Sequence, residues 1–356
     1  MKIKKKFILL FLTISMVLSG CQNNSTEISN RNSDNKINSS TNQPDTTVTP
    51  SVSSHKEETE GYLSLTVTKT VSKTVALDKF ISEIYCYDLE KETMSKVGEV
   101  PYTSQYPLTA YDRKENCVYY TAADENGDDQ LCLYDLSNNT KEKITDEFYA
   151  LNYAIVREHD LILIGCKSGD HNILPYLFDK KTKSVTSLSW DDDFFTWIGF
   201  YNPSCDRFFV SGYSEKRSRE ISDKDLNEIA TNYIYEVDVK NQSKTKIIEE
   251  ARFISGFIMN QNKLIYKSRG DEVDSHKSDT VKVYDFSTKK TKELENAKDF
   301  LYREFIYLTE DGKTLYYIGD SNGDYALFKY DFDKDSSTEI YSTSGEQAIN
   351  NVQFIK

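Results

Sequence analysis

The sequence predicts an all-β protein, a six-bladed β-propeller of four-stranded antiparallel blades whose ring is closed by the C-terminal strand. Three observations predict this fold. The chain of 356 residues contains 25 Tyr and 18 Phe, which are residue types that favour strands. A motif of alternating apolar residues, an aromatic residue and an aspartate recurs six times. The aspartates follow one another at intervals of 44 to 59 residues, which is typical of propeller blades.

Composition narrows the possible functions. The formal net charge is -13, and nucleic-acid binding needs a basic surface, so we expect no nucleic-acid partner. The mean hydropathy of -0.61 excludes a protein that crosses the membrane many times.

The first twenty residues are predicted to be a signal peptide. Four lysines lie in Met1–Lys6, and Phe7–Leu18 is an unbroken run of apolar and small hydroxyl residues. Twelve residues are too few to span a bilayer as a helix. The run ends in Leu18-Ser19-Gly20-Cys21, which resembles the lipobox of bacterial lipoproteins. This resemblance implies a diacylglyceryl group on Cys21 and a protein anchored to the outer, extracytoplasmic face of the bacterial cell membrane. The alternative is an ordinary secretory peptide with an incidental cysteine.

Residues 21–60 are predicted to be a tether. More than half of residues 22–60 are Ser, Thr or Asn, and large apolar side chains are rare. Such a segment buries too little surface to offset the entropy of ordering it. Its root-mean-square reach is about 35 Å, which would hold the propeller clear of the lipid headgroups.

The propeller is predicted to occupy residues 61–356. The repeated motifs end at Asp88, Asp135, Asp179, Asp238, Asp285 and Asp331. A polar turn follows each aspartate, so we expect these carboxylates to accept hydrogen bonds from the turn backbone and to have no catalytic role. Asn126-Gly127 and Asn322-Gly323 predict tight hairpins. Asn350–Ile355 is a strand without a partner of its own, and we expect it to complete the first blade.

Two stretches carry a family resemblance. Thr309–Tyr317 together with Tyr325–Asp331 resembles the TolB-like six-bladed repeat. Val118–Thr121 and Leu315–Ile318 resemble the YWTD repeat of propellers of the low-density-lipoprotein-receptor type, although the Trp and Asp of that motif are missing. The resemblance covers residues 62–356. It implies a propeller and includes families of binding modules, but it implies no reaction.

The variable connections are the predicted location of a binding site. In a propeller, the connections between second and third strands share a face with those between blades, and here they differ in length. Blade four carries the longest, Ser214–Asn232, within which Ser222 could begin a short helix. We expect the same face to carry an aromatic and acidic segment that would contact a ligand. Its predicted binding residues are Asp191, Asp192, Asp193, Phe194, Phe195 and Trp197. The alternative is that Phe195 and Trp197 belong to the core between blades and that the aspartates form a solvated turn.

The sequence predicts no catalytic residue, metal or cofactor. Gly319–Gly323 matches G-x-S-x-G, but no histidine follows it, and a nucleophile elbow needs one. Asp124–Asp128 and Asp320–Asp324 look like fragments of a calcium loop without its full spacing, so calcium is possible but unsupported. Beyond Cys21, the odd number of cysteines favours reduced thiols over disulfides, with one bridge among Cys117, Cys132 and Cys166 as the alternative.

The predicted function is a lipid-anchored binding or scaffold protein that presents one propeller face to a protein, peptide or glycan. Two alternatives stay open. One is a propeller enzyme, lactonase-like or glycosidase-like and possibly calcium-dependent. The other is a structural accessory of an envelope complex.

Overall fold

The computed structural model describes residues 61–71, 80–188, 193–224, 226, 228–270, 279–294 and 297–356. The predicted signal peptide, Cys21 and the predicted tether lie outside the described residues, and so do Asp191 and Asp192. Within the described part of the chain, no helix is long and apolar enough to cross a membrane.

Six four-stranded antiparallel sheets form a ring, which confirms the predicted six-bladed β-propeller. Strands are numbered in chain order and given from the channel outwards. Blade one contains β24 (Gln347–Ile355), β1 (Tyr62–Thr70), β2 (Phe80–Asp88) and β3 (Thr93–Pro101). Blade two contains β4 (Thr109–Asp112), β5 (Cys117–Ala123), β6 (Asp129–Asp135) and β7 (Thr140–Lys143). Blade three contains β8 (Phe148–Val156), β9 (Asp160–Lys167), β10 (Leu174–Asp179) and β11 (Ser184–Ser187).

The second half of the ring repeats this plan. Blade four contains β12 (Phe194–Asn202), β13 (Arg207–Ser214), β14 (Asn232–Asp238) and β15 (Ser243–Glu250). Blade five contains β16 (Phe253–Met259), β17 (Lys263–Arg269), β18 (Thr280–Asp285) and β19 (Lys290–Glu293). Blade six contains β20 (Glu304–Leu308), β21 (Thr314–Ser321), β22 (Asp324–Asp331) and β23 (Ser336–Ser342). A helix, α1 (Glu215–Asp223), follows β13, and a 3-10 helix (Lys298–Tyr302) precedes β20.

The C-terminal strand closes the ring as predicted. β24 pairs antiparallel with β1 from Tyr62 opposite Ile355 to Lys69 opposite Gln347. β24 also contacts β20, so the last strand joins blade one to blade six. Apolar clusters fill the space between blades, and Ile164 of blade three packing with Phe208 of blade four is typical.

The repeated aspartates have the predicted structural role. In all six motifs the carboxylate accepts hydrogen bonds from backbone N–H groups two or three residues further on. The residue four positions after each aspartate has a positive φ, between 50° and 55°. The same turn therefore joins the third and fourth strands of every blade. Asn322 and Gly323 both have positive φ, so they form the predicted two-residue hairpin turn between β21 and β22.

Two expected elements were misplaced. The helix of blade four ends at Asp223, although Ser222 was expected to begin it, because Ser214 caps it and accepts a hydrogen bond from the Arg217 N–H at 3.0 Å. The alternating pattern predicts a first strand of blade two over Tyr106–Tyr111, but the strand begins at Thr109. The Tyr106 N–H instead donates to the Asp129 carboxylate at 3.1 Å, and Pro107 has no N–H for a strand ladder.

Candidate binding face and upper channel

The connections of the propeller emerge on two different faces. Because neighbouring strands are antiparallel, the turns between first and second strands and between third and fourth strands share one face. These turns are short and similar, and we call their side the short-turn face. All other connections emerge on the opposite side, which we call the variable face. His171, Asp193 and α1 belong to three different connections of the variable face, and together they line one cavity of about 470 Å³.

Exposed apolar side chains are concentrated at the variable face. Among the described residues, six large apolar side chains are well exposed. Five of them lie in variable-face connections or in the parts of strands nearest to that face: Val71, Tyr149, Trp197, Tyr302 and Tyr325. Only Phe332 lies in a turn of the short-turn face. Exposed aromatic groups gathered on one side are typical of an interaction surface.

The predicted binding residues take different places. Asp193 accepts the Lys216 N–H at 2.6 Å and the Ser214 hydroxyl, so it anchors the first turn of α1. Phe194 is buried, with its ring edge against Tyr235 at a centroid distance of 5.4 Å. These two residues therefore support the face, and neither is an exposed contact residue.

Phe195 and Trp197 lie closer to solvent. Phe195 is half-buried and stacks on Tyr213 at 5.3 Å between ring centroids. Trp197 is 42% exposed, and its ring contacts the edge of Phe253 at 5.3 Å. Trp197 is thus the predicted aromatic residue that a ligand could reach most directly.

Several of the charges that line the cavity beside α1 already have partners. Arg219 pairs with Glu215, and Lys224 pairs with Glu220. The Asp193 carboxylate is engaged at the helix N-terminus. An exposed surface of balanced ion pairs offers a ligand little net attraction.

Two hydrogen bonds link blades near the short-turn face. The Gln353 side chain of blade one donates to the Ala154 carbonyl of blade three at 3.1 Å. The Asn202 amide of blade four donates to the Glu310 carboxylate of blade six at 2.9 Å. Both hydrogen bonds join blades that are not neighbours in the ring. They therefore tie the inner strands together near their short-turn ends.

Bulges mark the middle of the innermost strands. Five of the six innermost strands lose register by one residue at Asn152, Trp197, Ser255, Ile306 and Asn350. A bulge bends its strand and redirects side chains, and bulges are frequent beside functional sites. The Oδ1 atom of Asn152 and the Oγ atom of Ser255 are buried without a hydrogen-bond partner among the described residues. We call the part of the channel that lies at the level of these bulges, between Trp197 and Glu304, the upper channel.

Charged and phenolic groups meet in the upper channel. Glu304, the first residue of β20, is exposed to solvent yet surrounded by protein, as a side chain in a channel must be. This enclosure raises the pKa of Glu304, and the charge of Lys267 partly offsets the rise. Tyr153 projects from blade three, opposite blade six in the ring. Burial raises the pKa of Tyr153, and so do Glu304 and Tyr106.

Lys267 approaches the upper channel from the second strand of blade five. Its Nζ atom donates to the Arg303 carbonyl at 2.8 Å and lies 5.1 Å from the Phe305 ring centroid. The residue is only 7% exposed. Burial lowers the pKa of Lys267, Glu304 opposes that shift and the charge of Arg269 adds to it, and the net result is a pKa of about 8. Sequence patterns did not single out this lysine, because its neighbours come from distant strands.

One acidic cluster among the described residues has a spacing that suits a metal ion. Ligand atoms of Asp112, Glu115 and Cys117 lie within 4.8 Å of one another. The Lys180 ammonium lies 2.6 Å from Asp112 and 3.5 Å from Glu115. The lysine therefore supplies the positive charge that this cluster needs, and the cluster is an internal ion pair between blades two and three.

The cysteines of the propeller form no disulfide among the described residues. Burial raises the pKa of the Cys117 thiol to about 12 and the pKa of the Cys132 and Cys166 thiols to about 11. A buried thiol that stays protonated at neutral pH is a poor nucleophile. These residues therefore act as small core side chains.

Comparisons with known proteins show a similarity in fold. No protein-family profile matches the sequence, and no curated protein does. TolB from Acinetobacter baumannii is similar in structure, with a TM-score of 0.55 and 16% identity over 83% of this chain. This chain spans 66% of TolB, which is less than two thirds of its length.

Two further structures are similar. A structure of a nidogen–laminin complex matches with a TM-score of 0.53 and 11% identity, covering 82% of this chain and 98% of the other. An oligogalacturonate lyase in complex with manganese matches with a TM-score of 0.50 and 13% identity, covering 80% and 75%. These similarities support the predicted TolB-like and YWTD-like propeller at the level of the fold.

Proposed function

We propose that this protein is a lipid-anchored extracytoplasmic binding protein that presents the variable face of its propeller to a protein, peptide or glycan. The observation that carries the proposal is the grouping of exposed aromatic side chains on the variable face. Tyr149 is 44% exposed and Tyr325 is 56% exposed, so neither is buried in the protein itself. Solvent-exposed rings of this kind stack on sugars and pack against apolar side chains of a partner.

The point where the predicted tether joins the propeller supports this display. β1 begins at Tyr62, which lies opposite Asp88 and Ile355 in the sheet. Asp88 begins a third-to-fourth-strand turn, so this end of β1 lies at the short-turn face. The described chain therefore enters the propeller at the short-turn face, opposite the variable face.

The nidogen–laminin structure offers a parallel, because it is a complex between two proteins and includes a chain whose fold is similar to this one. Binding through a rigid propeller needs no catalytic group. It needs a scaffold whose loops hold their positions, and six identical aspartate turns provide such a scaffold on the opposite face.

The test compares aromatic residues on the two faces. The soluble protein, residues 22–356, is screened for thermal stabilisation by peptidoglycan fragments, oligosaccharides and a peptide library. For a ligand found in this way, Tyr149→Ser and Trp197→Ala should each weaken binding by about tenfold or more, since central aromatic residues dominate binding energy. Phe332→Ser, the matched change on the short-turn face, should leave the affinity unchanged. Equal losses at Phe332 and Tyr149 would contradict the proposal.

The anchor is tested separately. Cys21→Ala should move the protein from the membrane fraction to the soluble fraction or the medium, because two or three acyl chains hold a protein far more firmly than one. Fractionation with detergent extraction measures the change. A Cys21→Ala protein that stays in the membrane fraction would show that another segment holds it there.

A further inference from the structure

Two opposite charges face the upper channel without neutralising each other. Glu304 accepts no hydrogen bond from any residue that the structure describes. The Lys267 ammonium donates one hydrogen bond, to the Arg303 carbonyl oxygen at 2.8 Å. An ammonium group has three N–H donors, so two remain. Arg303 directly precedes Glu304, which places the lysine beside the base of the glutamate.

A glycine makes the position of this lysine possible. A Cβ atom on Gly256 would lie 2.6 Å from Cε and 2.9 Å from Nζ of Lys267. The side chain therefore passes through the space that the glycine leaves on the innermost strand β16. Because Lys267 is 7% exposed, its charge is largely desolvated. A desolvated charge without an ion-pair partner is costly, so an anionic partner from outside would relieve that cost.

The chemistry of the channel defines what would fit. The Glu304 carboxylate would bind a positively charged hydrogen-bond donor. The Lys267 ammonium, which has two unused N–H groups, would bind a negatively charged hydrogen-bond acceptor. The surrounding rings of Phe305, Tyr153 and Tyr106 favour an apolar or aromatic body. The orphaned Oδ1 atom of Asn152 offers one further acceptor at the bulged level.

We propose that the upper channel binds a free α-amino acid as its zwitterion, with the ligand ammonium on Glu304 and the ligand carboxylate on Lys267. The proposal goes beyond the proposed function, because a free amino acid is neither a protein, a peptide nor a glycan and would bind within the channel. The aromatic surroundings favour an amino acid with a large apolar side chain.

Isothermal titration calorimetry of residues 22–356 at pH 7 tests this assignment with four probes. L-phenylalanine carries both charges, L-phenylalaninamide lacks the carboxylate, N-acetyl-L-phenylalanine lacks the ammonium, and glucose carries neither. L-phenylalanine should bind, and each singly charged analogue should bind about tenfold more weakly or worse, as expected for the loss of a hydrogen bond between charged groups.

Three variants assign the contacts. Glu304→Gln and Lys267→Met should each weaken phenylalanine binding by about tenfold or more. Gly256→Ala keeps the lysine but displaces its ammonium, so it should also weaken binding and tests the position of the charge separately from its removal. The matched controls are Glu249→Gln and Lys246→Met, which remove an exposed ion pair on the outer strand β15 and should change nothing. Circular dichroism verifies that each variant is folded.

The other outcomes overturn the proposal in distinguishable ways. Equal affinity for phenylalanine and its amide would mean that Glu304 binds a simple cation and that Lys267 takes no part. Binding of glucose alone would make the ligand a neutral sugar. If none of the four probes bound, the amino-acid assignment would be rejected. In each case the proposed function is judged separately by the Tyr149 and Phe332 variants.

Discussion

At the scale of single residues, Lys267 holds its charge in an unfavourable, buried position. A lysine normally keeps its ammonium in water, and this one is drawn past Gly256 to the inner edge of its blade. The lowering of its pKa from 10.5 to about 8 measures the cost of this position. Proteins keep such unfavourable charges at sites that act on a ligand, because stability and function compete there.

Replacing this lysine by methionine should therefore stabilise the protein. Below pH 8 the folded protein bears the full cost of the buried charge, and a shift of this size corresponds to roughly 3 kcal/mol at neutral pH. Between about pH 8 and 10.5 the unfolded chain holds the proton that the folded chain has lost, so wild-type stability rises with pH. The advantage of Lys267→Met should be largest at pH 7 and shrink towards pH 10. Urea unfolding at several pH values measures it.

A Lys267→Met protein that is less stable than wild type at pH 7 would show that the hydrogen bond to Arg303 outweighs desolvation. Lys329→Met is a suitable control, because that lysine is only half-buried on β22 and pairs with Glu92 across blades.

Prediction from the sequence identified Trp197 but not Glu304. Tryptophan is rare in this chain, so its segment was conspicuous, and the structure leaves Trp197 exposed. Glu304 is one of 57 acidic residues, and nothing local distinguishes it. Its surroundings depend on Tyr153, which is 151 positions away in the chain. A one-residue bulge is likewise invisible in an alternating apolar pattern.

At the scale of elements, the same type of aspartate turn recurs in all six blades of the ring. Each carboxylate accepts hydrogen bonds either from two backbone N–H groups or from one backbone N–H group and a lysine ammonium. All six carboxylates lie on the short-turn face. Hydrogen bonds to the ionised form lower the pKa of these aspartates, and the pKa of Asp285 falls to about 2. The turn geometry is local in sequence, which is why it could be predicted.

Acid should weaken the propeller through these turns. A pKa that is lower in the folded than in the unfolded protein gives stability that is present above the ordinary aspartate value of 3.8 and is lost as the pH falls towards 2. Differential scanning calorimetry from pH 7 to pH 2 should show a falling melting temperature below pH 4. Asp285→Asn, which keeps an acceptor without the charge, should lose less on acidification. If the melting temperature of Asp285→Asn falls with pH as that of the wild type does, Asp285 does not contribute to the acid sensitivity.

The helix α1 shows where local rules fail. Ser222 satisfies the sequence pattern of a helix start, yet the helix ends one residue after it. Ser214 and Asp193 cap the first turn instead, and Asp193 lies in a different connection, 21 residues away. Contacts between distant connections decided the position of this element, and a single sequence does not reveal them.

At the scale of the whole molecule, closure of the ring depends on the last strand. Val352 and Phe354 of β24 are buried between blades one and six, and Phe354 stacks on Tyr307 with ring centroids 3.7 Å apart. The pairing of β24 with β1 removes the two open edges that a sequential ring would leave. The number of repeats and the unpaired terminal strand made this closure predictable from sequence.

Deletion of Gln347–Lys356 should open the ring. Each of the two buried side chains contributes roughly 1.5–3 kcal/mol, and the inner edge of β1 becomes available for pairing between molecules. The truncated protein should melt at a lower temperature and form oligomers, as measured by calorimetry and size-exclusion chromatography with light scattering. A monomer with unchanged melting would contradict closure by β24.

The central claim is that ligands bind at the variable end of the channel, and hydrogen–deuterium exchange with mass spectrometry tests it most directly. A ligand from the stability screen should slow exchange in peptides that contain Tyr149, Trp197 and Glu304, while the aspartate turns on the other side exchange as before. Protection confined to those turns, or to the groove along α1, would place binding elsewhere and contradict the account.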